Sequence, residues 1–304
     1  MLRAIAAATT SGRTAANYTV VMPRELTRLS DREYGRWEMI VAAPHASLRQ
    51  HVRRYVGFVE RRTVPILRRQ LPGSEIPVVI NFGAPIRLFD AGDTTRSTVY
   101  GSFASGVYDS FVVVESNGYQ NGIQIDFTIL GMRLFLGQPL GELKNRAVAL
   151  DDVLGRACDQ LVAQLRDLQA WDARFDLLDT TLSARMAAAR QPSRDLLAAW
   201  THLLKSGGAV PIQTIVRDVG RSHRHLISQF KDQIGLTPKA LARVLRFRRA
   251  VRVLKGDDVR LADVALACGY CDQPHFDRDF RAFAGLTPTE LMRSRMPDGG
   301  FAVR

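Results

Sequence analysis

The spacing of hydrophobic positions changes along the chain. Between residues 76 and 129 they come in short β-branched and aromatic runs: "IPVVINFG" (76–83), "PIRLFD" (85–90), "SFVVVES" (110–116) and "GIQIDFTI" (122–129). Gly, Pro, Asn, Asp or Ser bounds each run, so each predicts a strand. "NGYQNG" (117–122) reads as the hairpin loop joining the last two. Short antiparallel strands at this interval predict a small barrel or sandwich. Ahead of them a short helix is expected from Ser47 to Arg54, and residues 1–40 read as an irregular, disordered leader. Past Leu130 the spacing becomes helical, with amphipathic segments over Leu150–Leu168 and Ala170–Ala189. "ARQPSRD" (189–195) interrupts them and offers Ser193 as an N-cap. Leu196, Leu197, Trp200, Leu203 and Leu204 then form one apolar stripe, ended by Gly207 and Gly208.

The remaining pattern occurs twice. Gly-Leu-Thr-Pro stands at 235–238 and at 285–288, each time with a Phe five residues upstream of the Gly. Phe230 pairs with Phe280, Leu226 with Phe276 and Ser222 with Asp272 at an offset of fifty, while Gly220 and Gly269 pair at forty-nine. Each copy therefore reads as a short helix, a glycine turn, an N-cap and a second helix, the layout of a helix-turn-helix. Turning each second helix by ~100° per residue separates two faces. Leu226, Phe230 and Ile234 point inward in the first, and Phe276, Phe280 and Phe283 in the second. Arg224, Ser228 and Lys231 point outward in the first, flanked by His225 and Ile227. Pro274, Arg278 and Arg281 do so in the second, flanked by His275 and Asp277. Gly235 and Gly285 are the expected C-caps; Thr237 and Thr287 restart a helix with Pro238 and Pro288 at the first position, where a missing N–H costs nothing. The helix from Pro238 to about Lys255 would be a rod of ~27 Å. Such a rod can set two outward helices about one DNA turn (~34 Å) apart.

Charge strengthens that reading. The chain of 304 residues carries a net +12. Residues 195–304 hold 18 Lys and Arg against 11 Asp and Glu, a denser excess than the 24 against 19 that precede them. A polyanionic partner is favoured. The two outward helices differ: 221–231 carries three cations and no acid, whereas 272–281 carries two cations and three acids. Three cysteines, Cys158, Cys268 and Cys271, make no disulfide framework and fit a reducing cytoplasm. No run of ~18 apolar residues predicts a membrane span, and residues 1–20 lack the apolar middle of a signal peptide.

"SHRHLISQFK…GLTP", Arg246 and Ala250 within "RFRRAVRVL", and "VALACGYCDQPHFDRDFRAFAGLTP" together resemble the DNA-binding region of the AraC/XylS family of bacterial transcription regulators. The resemblance covers residues 194–295, about a third of the chain. It implies seven helices with two helix-turn-helix units on a long linking helix, double-stranded DNA and RNA polymerase as partners, and an N-terminal sensor or dimerisation domain. Departures from the family pattern are Ser228 in place of Arg, Val216 in place of a small residue, and Leu291-Met292 where Tyr-Arg is common. The expected fold is thus α+β: a leader at 1–40, a β-rich barrel or sandwich sensor with flanking helices at 41–190, an all-α domain at 194–295 and a tail at 296–304. The expected DNA-contacting residues are Arg221, His223, Arg224, His225, Ile227, Ser228, Lys231, Gln273, Pro274, His275, Arg278 and Arg281. The N-terminal region more loosely resembles the family's β-rich sensor domains, which implies a small-molecule effector or homodimerisation.

Other chemistry fits these residues less well. Cys268, Cys271 and His275 spell C-x2-C-x3-H, but Cys268 aligns with the core position Val219 and no fourth ligand is near, so no metal is expected. A cupin-like metal enzyme would need paired His and Glu ligands in its barrel, and the N-terminal half holds only His45 and His51, both ahead of the strands. No nucleophile-and-base arrangement surrounds His223 and His225, so neither enzyme activity nor a cofactor is expected. Arg61, Arg62, Arg68 and Arg69 read as a solvated face, or as a site for an acidic or phosphorylated effector.

Overall fold

The computed structural model describes residues 26–31, 36–61, 65–254, 260–296 and 300–303. Among the described residues ten strands come first: β1 (Leu26–Asp31), β2 (Arg36–Ala42), β3 (Val52–Arg61), β4 (Ile66–Gln70), β5 (Glu75–Asn81), β6 (Ile86–Phe89), β7 (Ser97–Tyr100), β8 (Phe103–Ser105), β9 (Val112–Ser116) and β10 (Tyr119–Thr128). Then follow α1 (Ile129–Leu136), β11 (Ala147–Ala149), α2 (Leu150–Leu154), α3 (Arg156–Asp167) and α4 (Trp171–Ala188). The strands form two antiparallel sheets, ordered β1-β2-β3-β10-β5-β8-β11 and, with the last strand β12 (Phe301–Ala302), β12-β4-β9-β6-β7. The N-terminal architecture is a sandwich of open sheets, the second of the two forms expected.

Strand alternation explains where the main core lies. On β10, Ile123, Ile125 and Phe127 point to one face, beside Ile80, Val78 and Ile76 of β5 and Gly57, Tyr55 and Val52 of β3. Onto this ladder α4 lays Phe175, Leu178, Leu182 and Met186, spaced three or four apart and all buried. Tyr55 and Phe175 stack with centroids 5.4 Å apart, and the Tyr55 hydroxyl donates to Asp179 Oδ1 at 2.8 Å. The opposite face is less apolar. Its core is small, built on Val79, Ile86, Leu88 and Phe103. At one corner Arg68 of β4 reaches across to Glu60 of β3 at 2.8 Å.

Helix α1 is buried along its whole length, capped by the Thr128 side chain and ended at Gly137 (φ +72°). It sits between α4 and the helices that follow, so the buried residues run without a break into the C-terminal region. There seven helices lie in sequence: α5 (Arg194–Lys205), α6 (Ile212–Val219), α7 (His223–Ile234), α8 (Pro238–Val253), α9 (Leu261–Ala267), α10 (Gln273–Ala284) and α11 (Pro288–Arg293). Ser193 caps α5 as expected, its hydroxyl accepting from Leu196 N.

Several sequence expectations fail for identifiable reasons. Residues 47–54 do not form a helix: one 3-10 turn, Ala46–Leu48, leads directly into β3. β3 lies between β2 and β10, and pairing on both sides decides its conformation. β1 and part of β2 fall where irregular chain was expected, while residues 1–25 of the expected leader lie outside the described residues. "NGYQNG" does turn, at Gly118 (φ +66°), but the strands it joins belong to different sheets, so there is no hairpin. Gly155 (φ +57°) splits the expected helix at 150–168 in two. The tail, expected at 296–304 without a structure of its own, adds a strand, β12.

Gly57 lets α4 close on the sheet: a Cβ there would lie 2.4 Å from Trp171 Cζ3. Phe175 and the Arg174 guanidinium flank that indole, with centroid distances of 6.0 and 4.5 Å. We expect Gly57→Ala to cost about 1–3 kcal/mol by overpacking, read from urea unfolding. Adding Trp171→Leu should return part of the loss. Unchanged stability in the single variant would show that the indole is not held against β3.

Candidate nucleic-acid interface

The two repeated units fold alike because the same local signals operate in both. Ser222 accepts from His225 N at 3.2 Å, and Asp272 accepts from His275 N at 2.7 Å. Leu226, Phe230 and Ile234 are buried under α7; Phe276, Phe280 and Phe283 are buried under α10. Gly235 and Gly285 end these helices in the left-handed region, at φ +87° and +68°. Thr237 and Thr287 cap α8 and α11, each with its proline in the first turn, and Thr287 forms a capping box with Glu290.

The outward faces lie where the helical wheel puts them. His223, Arg224, His225, Ser228 and Lys231 are exposed on α7, as is Arg221 just ahead of it, and Ile227 is half-buried. On α10, Pro274, Arg278 and Arg281 are exposed, whereas Gln273, His275 and Asp277 are half-buried. Linking the units, α8 spans 16 residues, or ~24 Å. Phe247 of α8 packs between Phe280 and Phe283, with centroids 5.1 and 5.0 Å away.

Two ion pairs change the electrostatics read from sequence. Arg221 Nε lies 2.5 Å from Asp195 Oδ2 of α5, so this cation is already engaged. Asp279 is buried and accepts from Arg243 of α8 through Nε and Nη2, at 3.1 and 2.7 Å to Oδ1. Hydrogen bonding to Asp279 outweighs burial and holds the Arg243 guanidinium above its ordinary pKa. His275 Nε2 approaches the same carboxylate at 4.0 Å, and its ring stands edge-on to Tyr270. Sequence reasoning missed both pairs, since each partner lies outside the helix it serves. Cys268 is buried, with its thiol pushed up by desolvation, while Cys271 is exposed. Among the described residues no cluster of three His, Cys, Asp or Glu stands ready for a metal.

Of the four arginines read as a possible effector site, the three described ones each have their own partners. Arg61 lies over the Tyr119 ring at 4.9 Å. Arg68 pairs with Glu60 and donates to Ser116 Oγ. Arg69 donates to the Ala284 carbonyl at 2.8 Å and lies over the Phe111 ring at 4.2 Å. Arg62 lies outside the described residues.

Removing one partner of the Arg243–Asp279 pair leaves the other partly desolvated. Asp279→Ala should cost about 2–3 kcal/mol in urea unfolding, less than a fully buried pair because Arg243 is 38% exposed. Replacing both by Leu should cost much less. Equal losses in the two variants would show that the charge pairing itself is not the source.

Comparison with known proteins matches two families. Residues 196–294 match a family described as a helix-turn-helix domain, and residues 41–149 match a domain of unknown function, DUF6597. The chain is similar to the HTH-type transcriptional activator RhaS of Escherichia fergusonii, 33% identical over 87 residues, covering 29% of this chain and 31% of the relative. RhaS of Escherichia coli is 34% identical over 74 residues, 24% of this chain and 27% of the relative. The match thus spans less than a third of these relatives' own length. Among solved structures, an AraC-type regulator from Chromobacterium violaceum is 30% identical, covering 32% of this chain and 87% of its own at a TM-score of 0.29. ToxT of Vibrio cholerae aligns over 78% of this chain and 97% of its own, at 14% identity and a TM-score of 0.45.

Proposed function

We infer that this chain, whose residues 196–294 are a helix-turn-helix domain of the AraC/XylS type, is a sequence-specific DNA-binding regulator of transcription. The observation that carries the reading is the pair of side-chain-capped helices, α7 and α10, whose outward faces stay uncovered on either side of α8. Selecting bound duplexes from a random library with the full chain tests it: two half-sites about one helical turn apart are expected. Recovery of no preferred sequence would overturn it.

We extend the reading to control by a small molecule held in the N-terminal sandwich. Supporting this, the corner between the sheets is polar: Glu60, Ser116 and Gln120 are buried there, and Gln120 Oε1 has no partner among the described residues. A ligand that binds the folded state raises its stability, so a thermal-shift screen of metabolites on the full chain tests this part. A homodimer in contact with RNA polymerase belongs to the same reading. The apolar residues of α3 and α4 are buried within the chain. The dimer therefore rests on edge strand β1, which exposes Leu26 and Leu29.

Within the interface we assign base reading mainly to α10 and phosphate binding mainly to α7. Arg278→Ala should lose about 1–3 kcal/mol of binding to the selected duplex if the guanidinium reaches a base edge. Base-substituted duplexes are the check, and unchanged affinity for all of them would rule the contact out.

Arg224 and Lys231 are exposed on the outward face, whereas Arg221 is held by Asp195. Arg224→Ala combined with Lys231→Ala should flatten the slope of log K against log salt on non-cognate DNA by about 1–2 units, at ~0.9 per lost phosphate contact. Arg281→Ala should flatten it less. Equal flattening would refute the division between the helices.

A further inference from the structure

The repeated glycine turns do more than end helices. A Cβ on Gly235 would lie 3.0 Å from the Leu140 carbonyl oxygen, and one on Gly285 would lie 2.4 Å from Phe111 Cε1 and 2.9 Å from Arg69 Nη1. Leu140, Phe111 and Arg69 all belong to the region before α5. Each turn is therefore a seat on which the N-terminal domain rests. At the first, Leu140 N donates to the Gln233 carbonyl and Arg133 of α1 donates to Gln233 Oε1 at 2.7 Å. At the second, the Arg69 guanidinium caps the Ala284 carbonyl, where the negative end of the α10 dipole favours a cation. Between them Arg248 of α8 packs on Gly73 and faces Glu75 at 3.9 Å.

The tail closes the second seat. After α11 the chain turns back, with Met296 N donating to the Gly300 carbonyl and Ala302 N to the Ser294 carbonyl. β12 then pairs antiparallel with β4, Phe301 opposite Arg69, and Val303 N donates to the Leu67 carbonyl. Phe301 is buried, part of the continuous core. β4 is thus the strand that both carries Arg69 and receives the tail.

We propose that the N-terminal domain is a brace that fixes the two reading helices relative to one another through their C-terminal glycine turns, and that the β12 tail is the clasp that keeps the brace on the second unit. It is a brace and not a block, because Arg224, Ser228, Lys231, Arg278 and Arg281 stay exposed while only the far ends of their helices are gripped. The proposal rests on the DNA-binding reading for its functional consequence but not for its mechanics.

Two variants of the full chain test it: deletion of residues 301–304, and Arg69→Ala, which keeps the tail. The first measurement needs no DNA. By hydrogen exchange, deleting the tail should raise exchange at least tenfold in β4, whose Leu67 and Arg69 backbone groups face β12, and also across the turn at Gly285, leaving the turn at Gly235 protected. A rise confined to β4 would reduce the tail to a local cover and overturn the clasp. In the second measurement, duplexes selected by the unmodified chain are compared with versions carrying one or two extra base pairs between the half-sites. The unmodified chain should discriminate against the longer spacings, and both variants should lose at least fivefold of that discrimination. Tighter binding by the variants would mean a block, and unaltered discrimination would mean no brace; either overturns the proposal. Should the unmodified chain select no duplex, the DNA-binding reading fails, while the exchange measurement still decides whether the tail holds the second unit.

Discussion

Gly235 and Gly285 set how the molecule is put together. Each is the residue at which a reading helix ends, and each has a positive φ that a side chain would strain. Each also meets the N-terminal domain closely: a Cβ at Gly285 would overlap the Phe111 ring, and one at Gly235 would need the Leu140 backbone to give by a few tenths of an ångström. The two demands reinforce one another. A left-handed C-cap exposes the helix end carbonyls, and the missing side chain lets a partner reach them. At Gly285 that partner is the Arg69 guanidinium; at Gly235 it is the Leu140 backbone. Thr and Pro then restart the chain as a new helix within three residues, so the direction of α8 and α11 is fixed at the same points.

The arrangement explains why the buried residues do not divide where the sequence texture does. α1 carries no exposed residue: one side meets α4 and the sheet, another meets α7. A helix so placed cannot belong to a sensor that merely tethers a DNA-binding domain through residues 189–195. Three side-chain contacts across the boundary come from arginines, Arg133, Arg69 and Arg248, whose planar donors reach carbonyl or carboxylate groups. Burial lowers the pKa of all three. Hydrogen bonds from Arg133 and Arg69, and the Glu75 carboxylate facing Arg248, offset part of the cost of taking the charges out of water.

What could be read in the sequence was what is decided locally. The caps at Ser222 and Asp272, the glycine C-caps, the Thr-Pro restarts and the inward residues Leu226, Phe230, Phe276 and Phe280 depend on neighbours within a turn or two. What could not be read depends on distant partners. β3 contains Gly57 and two arginines near its start, which blur its alternation; β2 and β10 make it a strand. A turn was legible at Asn117-Gly118, but not that the strands on its two sides join different sheets. Nothing local marks Asp195 as the partner of Arg221, or Arg243 as that of Asp279 thirty-six residues away. Arg69 looked like one of four clustered cations, yet its partner is a carbonyl 215 residues on.

Those distant pairs revise the charge contrast between the two reading helices. By sequence, 221–231 stands at +3 and 272–281 at −1. Arg221 is matched by Asp195, which leaves Arg224 and Lys231 to act outward. In the second helix Asp272 is a cap and Asp279 is matched by Arg243 from behind, so Arg278 and Arg281 face outward against Asp277 alone. The contrast thus narrows to about one charge without changing sign. At that size, long-range attraction to phosphate differs little between the units, because screening limits it to ~8–10 Å at physiological salt. Any difference in their roles must come from short-range chemistry at the surface itself. There the first helix offers two histidines and a serine beside its cations, while the second sets a carboxylate next to Arg278, a pairing able to reject a base edge as well as accept one.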